Sequence, residues 1–416
     1  MKKAGKYIIW KYFYLFLFIA LSINGKSQEI LDNYLIEAAK NNPGLQVKFN
    51  EYMAALEVAP QVKALPDPQI VFGYFIKPVE TRFGPQEFKI SVSQMFPWFG
   101  TLKAKENSAI QMAKAKYEAF EESKSKLFND VRSTYFNLYF TQKAISITND
   151  NIELLSSFQQ LAIIKVEAGK VSAVDEFRIE IELGDLENQL ALLKDRLNIQ
   201  VVLFNKLLNT SNQSIPALPS DLWEGDLQSE KSEILDRIMA QNHQLLSLDF
   251  QLESLRFKEK AAKDIGKPDF SVGLDYINIG KGDNNLAGTD AFVFPKLGIT
   301  IPLYRNKYKA MVQEVIHFET AKQFEKEEKS NFLEIIFENG YKDYQVASRR
   351  IDLNRQQKDL AQKSIKILEA EYTTNSKNFE EILRMERKLL KYSLELEKAK
   401  ADKQAAISFI RYLMGR

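Results

Sequence analysis

Few residues in this chain could carry bond chemistry. It has 416 residues, no cysteine and two histidines, His243 and His317. The missing thiols exclude disulfides, thiolate metal sites and a lipid anchor on an N-terminal cysteine. Both histidines lie in helical sequence without a partner motif, so neither a His-based metal site nor a nucleophilic triad is indicated. Met95, Met112 and Met385 are scattered, not clustered as a soft-metal site would need. The expectation is a protein without cofactor and without enzymatic activity. Carboxylates are abundant, 55 Asp and Glu against 57 Lys and Arg. Spread along helices they define no acid–base pair. They matter only where a turn or a symmetry axis gathers them.

The elements that could gather them follow from the rest of the chain. Lys2, Lys3, Lys6 and Lys11 are followed by the apolar run Tyr12–Leu21 and then by small polar residues, the order of a secretory signal peptide. We expect residues 1–27 to be that signal, since a run of about ten apolar residues is half of what a spanning helix needs. Residues 28–416 then carry 52 basic and 55 acidic residues, a net of −3, which is no electrostatic footprint for nucleic acid. No later segment reaches a membrane-spanning apolar length, so entry into a membrane would be by strands.

All twelve prolines lie within Pro43–Pro97 and Pro216–Pro302. The stretches 101–215 and 303–416 hold no proline and only Gly169, Gly184, Gly340 and Gly415. Proline costs about 3 kcal/mol in a helix interior and glycine about 1, so both stretches are free to be very long helices. Leu183, Leu186, Leu190, Leu193, Leu197, Val201, Phe204 and Leu208 keep the three-four rhythm of a coiled-coil seam. Each stretch has one interruption. Gly169 can cap a helix and Ser172 start the next; in the second stretch Asn375 can cap and Ser376 or Asn378 restart the helix. Residues 29–64 read as one further helix.

The proline windows hold strands near 68–76, 86–96, 269–277 and 294–303. Phe270, Val272, Leu274 and Tyr276 alternate with Ser271, Gly273 and Asp275. Such alternation fits a membrane strand and equally a soluble hairpin with one wet face. Pro97, Trp98 and Gly100 stand at one strand-to-helix corner and Pro302 at another.

The two halves repeat. "EILD" occurs at 29–32 and 233–236, and "LPDPQIVFGYF" at 65–75 aligns with "GKPDFSVGLDY" at 266–276. The expected organisation is a first repeat over 28–209, a linker over 210–232 and a second repeat over 233–416. Each repeat runs helix, two strands, long helix, tip, helix.

On the residues Pro66–Gln69, Ser91–Gly100, Gly169–Asp175 and Ile299–Tyr304, and on their order, the chain resembles the TolC-type family of outer-membrane efflux ducts. The resemblance implies a mixed α/β membrane protein, mostly long α-helices. It implies a homotrimer whose four strands per protomer close a 12-stranded β-barrel continuous with a periplasmic coiled-coil barrel. The implied function is the passive exit duct of a tripartite efflux or type I secretion system. Its partners would be a periplasmic adaptor protein, an inner-membrane pump and outer-membrane lipid. The alternative is a periplasmic coiled-coil adaptor without a barrel, although an adaptor would carry one helical hairpin, not two.

By the same resemblance the tips Gly169, Lys170, Val171, Ser172, Asn375, Ser376 and Lys377 would dock the adaptor. Glu380, Glu381, Asp175 and Glu176 would form carboxylate rings at a gate, attracting cations. Relatives have glycine where this chain has Asn375, which leaves the second tip's turn open.

Overall fold

The computed structural model describes residues 26–169, 172–211, 215–223, 225–282, 288–375 and 379–416. Most of the expected signal peptide, and the tip residues Lys170, Val171, Ser376 and Lys377, lie outside them. Helices α1 (Lys26–Asn41), α2 (Pro43–Leu56) and α3 (Val58–Lys63) precede β1 (Gln69–Tyr74), β2 (Glu80–Thr81) and β3 (Gly84–Phe96). Next come α4 (Thr101–Glu167) and α5 (Ala173–Leu208), then α6 (Lys231–Gln241) and α7 (His243–Ile265). The chain continues through β4 (Asp269–Ile279), β5 (Ala291–Thr300), α8 (Arg305–Asn375) and α9 (Phe379–Leu413).

Residues 29–64 are not one helix. Pro43 has no N–H to donate, so the ladder is interrupted there. The Asn42 side chain takes over by accepting from Leu45 N at 3.1 Å. Asn242 plays the same part before α7, accepting from Gln244 N at 3.0 Å. The two breaks are 200 positions apart. A further break at Glu57 separates α3, whose third residue is Pro60.

Two compact units form, each from separated segments. One comprises Val47–Glu122 and Met239–Phe332. It holds the sheet, ordered β1-β3-β4-β5 with every neighbour antiparallel and the short β2 on β3. In this unit the start of α4 packs antiparallel on α7 through small residues. Ser108 and Ser254 each donate to the other's backbone carbonyl at 2.9 Å, and Ser247 donates to Ala115 O at 3.0 Å. A seven-residue advance on one helix matches a seven-residue retreat on the other. Ala104, Ala113, Ala115, Ala261 and Ala262 are buried there. His243 pairs with Glu118 at 2.7 Å, a partner that sequence spacing did not reveal.

The other unit comprises the described residues of Met1–Gln46, Ser123–Ile238 and Leu333–Arg416. Here α4 and α9 run antiparallel, bridged at three levels. Ser408 Oγ donates to Asn129 Oδ1 at 3.2 Å, Tyr139 Oη to Glu397 Oε2 at 2.7 Å, and Asn151 Nδ2 to Glu386 Oε2 at 3.4 Å. Helices α5 and α9 run parallel, joined by Arg387 to Glu182 at 2.6 Å and Arg178 to Glu380 at 3.4 Å. The coiled-coil seam of α5 buries Leu186, Leu197, Val201, Phe204 and Leu208. At its end, Asn42 Nδ2 donates to Leu207 O and Asn209 Nδ2 to Asn41 O, so the break after α1 sits against the C-terminus of α5. The linker before α6 is strapped down by Lys403 to Asp226 at 2.5 Å and by Trp223 against Phe136.

Candidate functional site

The sheet has an apolar face that no described residue covers. Phe72, Ile90, Tyr276 and Phe292 form one cross-strand row, and Ile70, Val92 and Leu274 another. Ile70 and Phe292 are each 73% exposed and Leu297 equally so. The opposite face carries Ser91, Ser93, Ser271, Gly273 and Gly298. There Asp275 is buried between Lys89 at 2.6 Å and Lys296 at 3.2 Å, which reach it from the two flanking strands. A soluble hairpin would bury the first face against a core; among the described residues of this sheet that face stays open. Aromatic rings gather at both ends of the apolar face. Phe72, Phe88, Tyr276 and Phe292 follow one another at 5.1–6.1 Å near the loops. Trp98, Phe99 and Phe270 lie within 6.0 Å of one another where the helices begin. Phe270 and Tyr276 are six residues apart, about 20 Å along a strand.

The corner after β3 is built by four residues. Pro97 ends the ladder, and Trp98 N donates to the Asp269 carboxylate at 2.9 Å. Gly100 takes φ +91°, a left-handed conformation that favours glycine, and its carbonyl accepts from Ala104 N in the first turn of α4. Pro302 lies in the other corner, between β5 and α8, where Arg305 N donates to Leu303 O.

At the first tip Gly169 has φ +68° and its N–H returns to Val166 O at 2.9 Å. Ser172 Oγ accepts from Val174 N and caps α5. Asn375 is the last residue of α8. The rings of Tyr372 and Phe379, on either side of the second tip, are both buried with centroids 5.0 Å apart. Lys165 lies 4.1 Å above the Tyr372 ring. Leu155, Phe158, Ile179 and Ile382 complete this cluster.

The candidate gate carboxylates are not isolated charges. Arg178 reaches Asp175 and Glu380, each at 3.4 Å, and so ties α5 to α9. Glu381 pairs with Arg384 in its own helix, and Glu176 is half-buried. The arginines were legible at three-residue spacing, Asp175 to Arg178 and Glu381 to Arg384; that Arg178 is shared between helices was not. Glu386, missed in the sequence, is a buried carboxylate whose pKa is pushed up to about 7 by burial first and by Glu369 second. Among the described residues no group of acids and histidines is arranged to hold a metal ion, and no helix is long and apolar enough to cross a membrane.

These features have counterparts among known proteins. The sequence profile of the family described as "Outer membrane efflux protein" matches residues 35–210. No curated protein matches the chain by sequence. The outer membrane protein VceC from Vibrio cholerae superposes with a TM-score of 0.74 at 13% identity, over 92% of this chain and 96% of VceC. The Campylobacter jejuni CmeC outer membrane channel gives 0.70 at 15% identity, over 93% and 86%. The open state of the Neisseria gonorrhoeae MtrE outer membrane channel gives 0.72 at 14%, over 92% and 88%. The fold is therefore that of outer-membrane channels. The profile match thus likens residues 35–210 to outer membrane efflux proteins, and the superpositions extend the likeness of fold over the rest of the described chain.

Proposed function

We propose that three copies of this chain close a twelve-stranded barrel and form the exit duct of a tripartite efflux system. The observation that carries the reading is the sheet itself. Its apolar face is outward and uncovered, and β1 and β5 each keep an unpaired edge among the described residues. Open edges of this kind invite pairing, and only closed barrels carry strands through lipid. Each copy would bring its four long strands, and the Ser, Gly, Lys and Asp face would line the water-filled interior. An adaptor without a barrel would leave the apolar face in water, which disfavours that alternative.

The duct would conduct passively. The turns at Gly169–Ser172 and Asn375–Lys377 would meet a periplasmic adaptor that links to an inner-membrane pump, and cargo would leave between the loops. Glu380, Glu381, Asp175 and Glu176 would set the charge of the entrance, moderated by Arg178 and Arg384. The duplication would place equivalent helices α5 and α9 side by side around the tube. The experiment is fractionation followed by electrophysiology. The protein should run as a heat-labile trimer from outer membranes, and purified trimer should give stepwise conductance in planar bilayers. A monomer in the soluble periplasmic fraction would sink the proposal.

A further inference from the structure

We infer that the helix end of the sheet is a docking collar for anionic phospholipid, built from Lys267, Arg305, Lys307 and Lys309 beneath Trp98 and Tyr304. The inference rests on the proposed insertion of the sheet in the membrane and goes beyond it by naming the lipid chemistry and the residues. Four segments leave the sheet at this end: 64–68, 97–105, 264–268 and 301–309. Together they hold six basic residues and two acidic ones. The two connections at the other end, 75–83 and 280–290, hold three of each. The excess of positive charge is thus confined to one end.

The tertiary structure concentrates it. Tyr308 packs on the turn between α7 and β4, so closely that a Cβ on Gly266 would lie 3.3 Å from the Tyr308 Cβ. That contact sets the start of α8 beside Lys267, whose amine lies 5.5 Å from the Trp98 ring centre. Lys267 is paired with Asp264 at 2.8 Å, whereas Arg305, Lys307 and Lys309 are exposed and make no ion pair among the described residues, so these three supply the net charge of the collar. Apolar groups stand beside them in the open: Phe99 is 79% exposed and Tyr304 80%. Rings with a hydrocarbon body belong at the boundary between acyl chains and water. Cations one turn further out meet the phosphodiester layer, where each adds about fivefold to association with an anionic surface. With no cysteine the chain cannot carry an acyl group on a thiol, and the collar would supply an attachment of a different kind at this depth.

The test uses the full-length protein in vesicles of phosphatidylcholine containing spin-labelled phosphatidylglycerol or spin-labelled phosphatidylcholine. Electron spin resonance reads the fraction of each label held at the protein surface. The unaltered protein should prefer the phosphatidylglycerol label severalfold, and high salt should erase the preference. Arg305→Gln, Lys307→Gln, Lys309→Gln together should bring it close to parity, while Lys77→Gln, Arg82→Gln at the loop end should leave it intact. No preference in the unaltered protein, or a preference untouched by both salt and the triple change, overturns the collar. The salt series needs no variant, so a misfolded triple variant does not spoil the result. Failure to float with vesicles of either lipid would overturn membrane insertion of the sheet instead.

Discussion

Asn151 Nδ2 donates to Glu386 Oε2 across 3.4 Å, and Glu386 Oε1 has no hydrogen-bond partner among the described residues although the side chain is only 2% exposed. A carboxylate so placed, between α4 and α9 with Glu369 nearby on α8, holds its proton to about pH 7. The sign follows from linkage. Below the ordinary value of 4.5 both folded and unfolded chains are protonated and the group contributes nothing. Between there and about pH 7 only the unfolded chain releases the proton, so stability falls as pH rises, by up to about 3 kcal/mol in all. Glu386→Gln should remove this slope. Thermal melts in detergent at pH 5 and pH 8 should show the variant near the parent at low pH and more stable at high pH. Parallel pH profiles would mean that the carboxyl titrates normally in the folded protein.

The shared arginine makes a two-sided prediction about selectivity. Arg178 is paired with both Asp175 and Glu380, so Arg178→Gln should uncover two carboxylates per protomer and increase cation preference in planar bilayers. Glu380→Gln with Glu381→Gln should do the opposite and weaken block by a trivalent cation. Reversal potentials that move in neither variant would place this cluster outside the conduction path.

Gly169 separates docking from folding. A Cβ there would meet nothing within 4 Å, so Gly169→Val costs only the left-handed backbone at φ +68°, about 1–2 kcal/mol. We expect export to fall as the turn reshapes, with the yield of trimer in outer membranes unchanged. Equal losses of both would assign Gly169 to folding.

The loop joining β1 and β3 should face the cell exterior, since the opposite ends of those strands lead into helices. It is a small hairpin, with Thr81 Oγ1 donating to Gly84 O at 2.8 Å and Val79 exposed. An epitope inserted after Val79 should bind antibody on intact cells. Binding that requires a broken outer membrane would reverse the topology. The corresponding loop between β4 and β5 is the second insertion point, although 283–287 at its centre lie outside the described residues.

Much of this architecture is written along the chain because it depends on local costs. Proline and glycine are expensive inside helices, so the absence of proline and scarcity of glycine in 101–215 and 303–416 mark α4, α5, α8 and α9, and Gly169 with Ser172 marks a tip. Period-two alternation marks the strands and sorts their faces, and Asn42-Pro43 already held the signal for the break between α1 and α2. The direction of the sheet was open at that level, since alternation is the same whether the apolar face meets a core or lipid. The folded chain leaves Ile70, Phe72 and Phe292 without a covering layer among the described residues, and that exposure is what supports the proposed lipid contact. Pairing between distant helices was decided by tertiary packing. Glu386, Glu397 and Glu380 are three glutamates among many on one polar helix. Packing at one fixed register gives the first a buried site beside Asn151, the second Tyr139 and the third Arg178. That register is set by side-chain fit along the whole length of each helix, a sum that no local stretch of sequence contains.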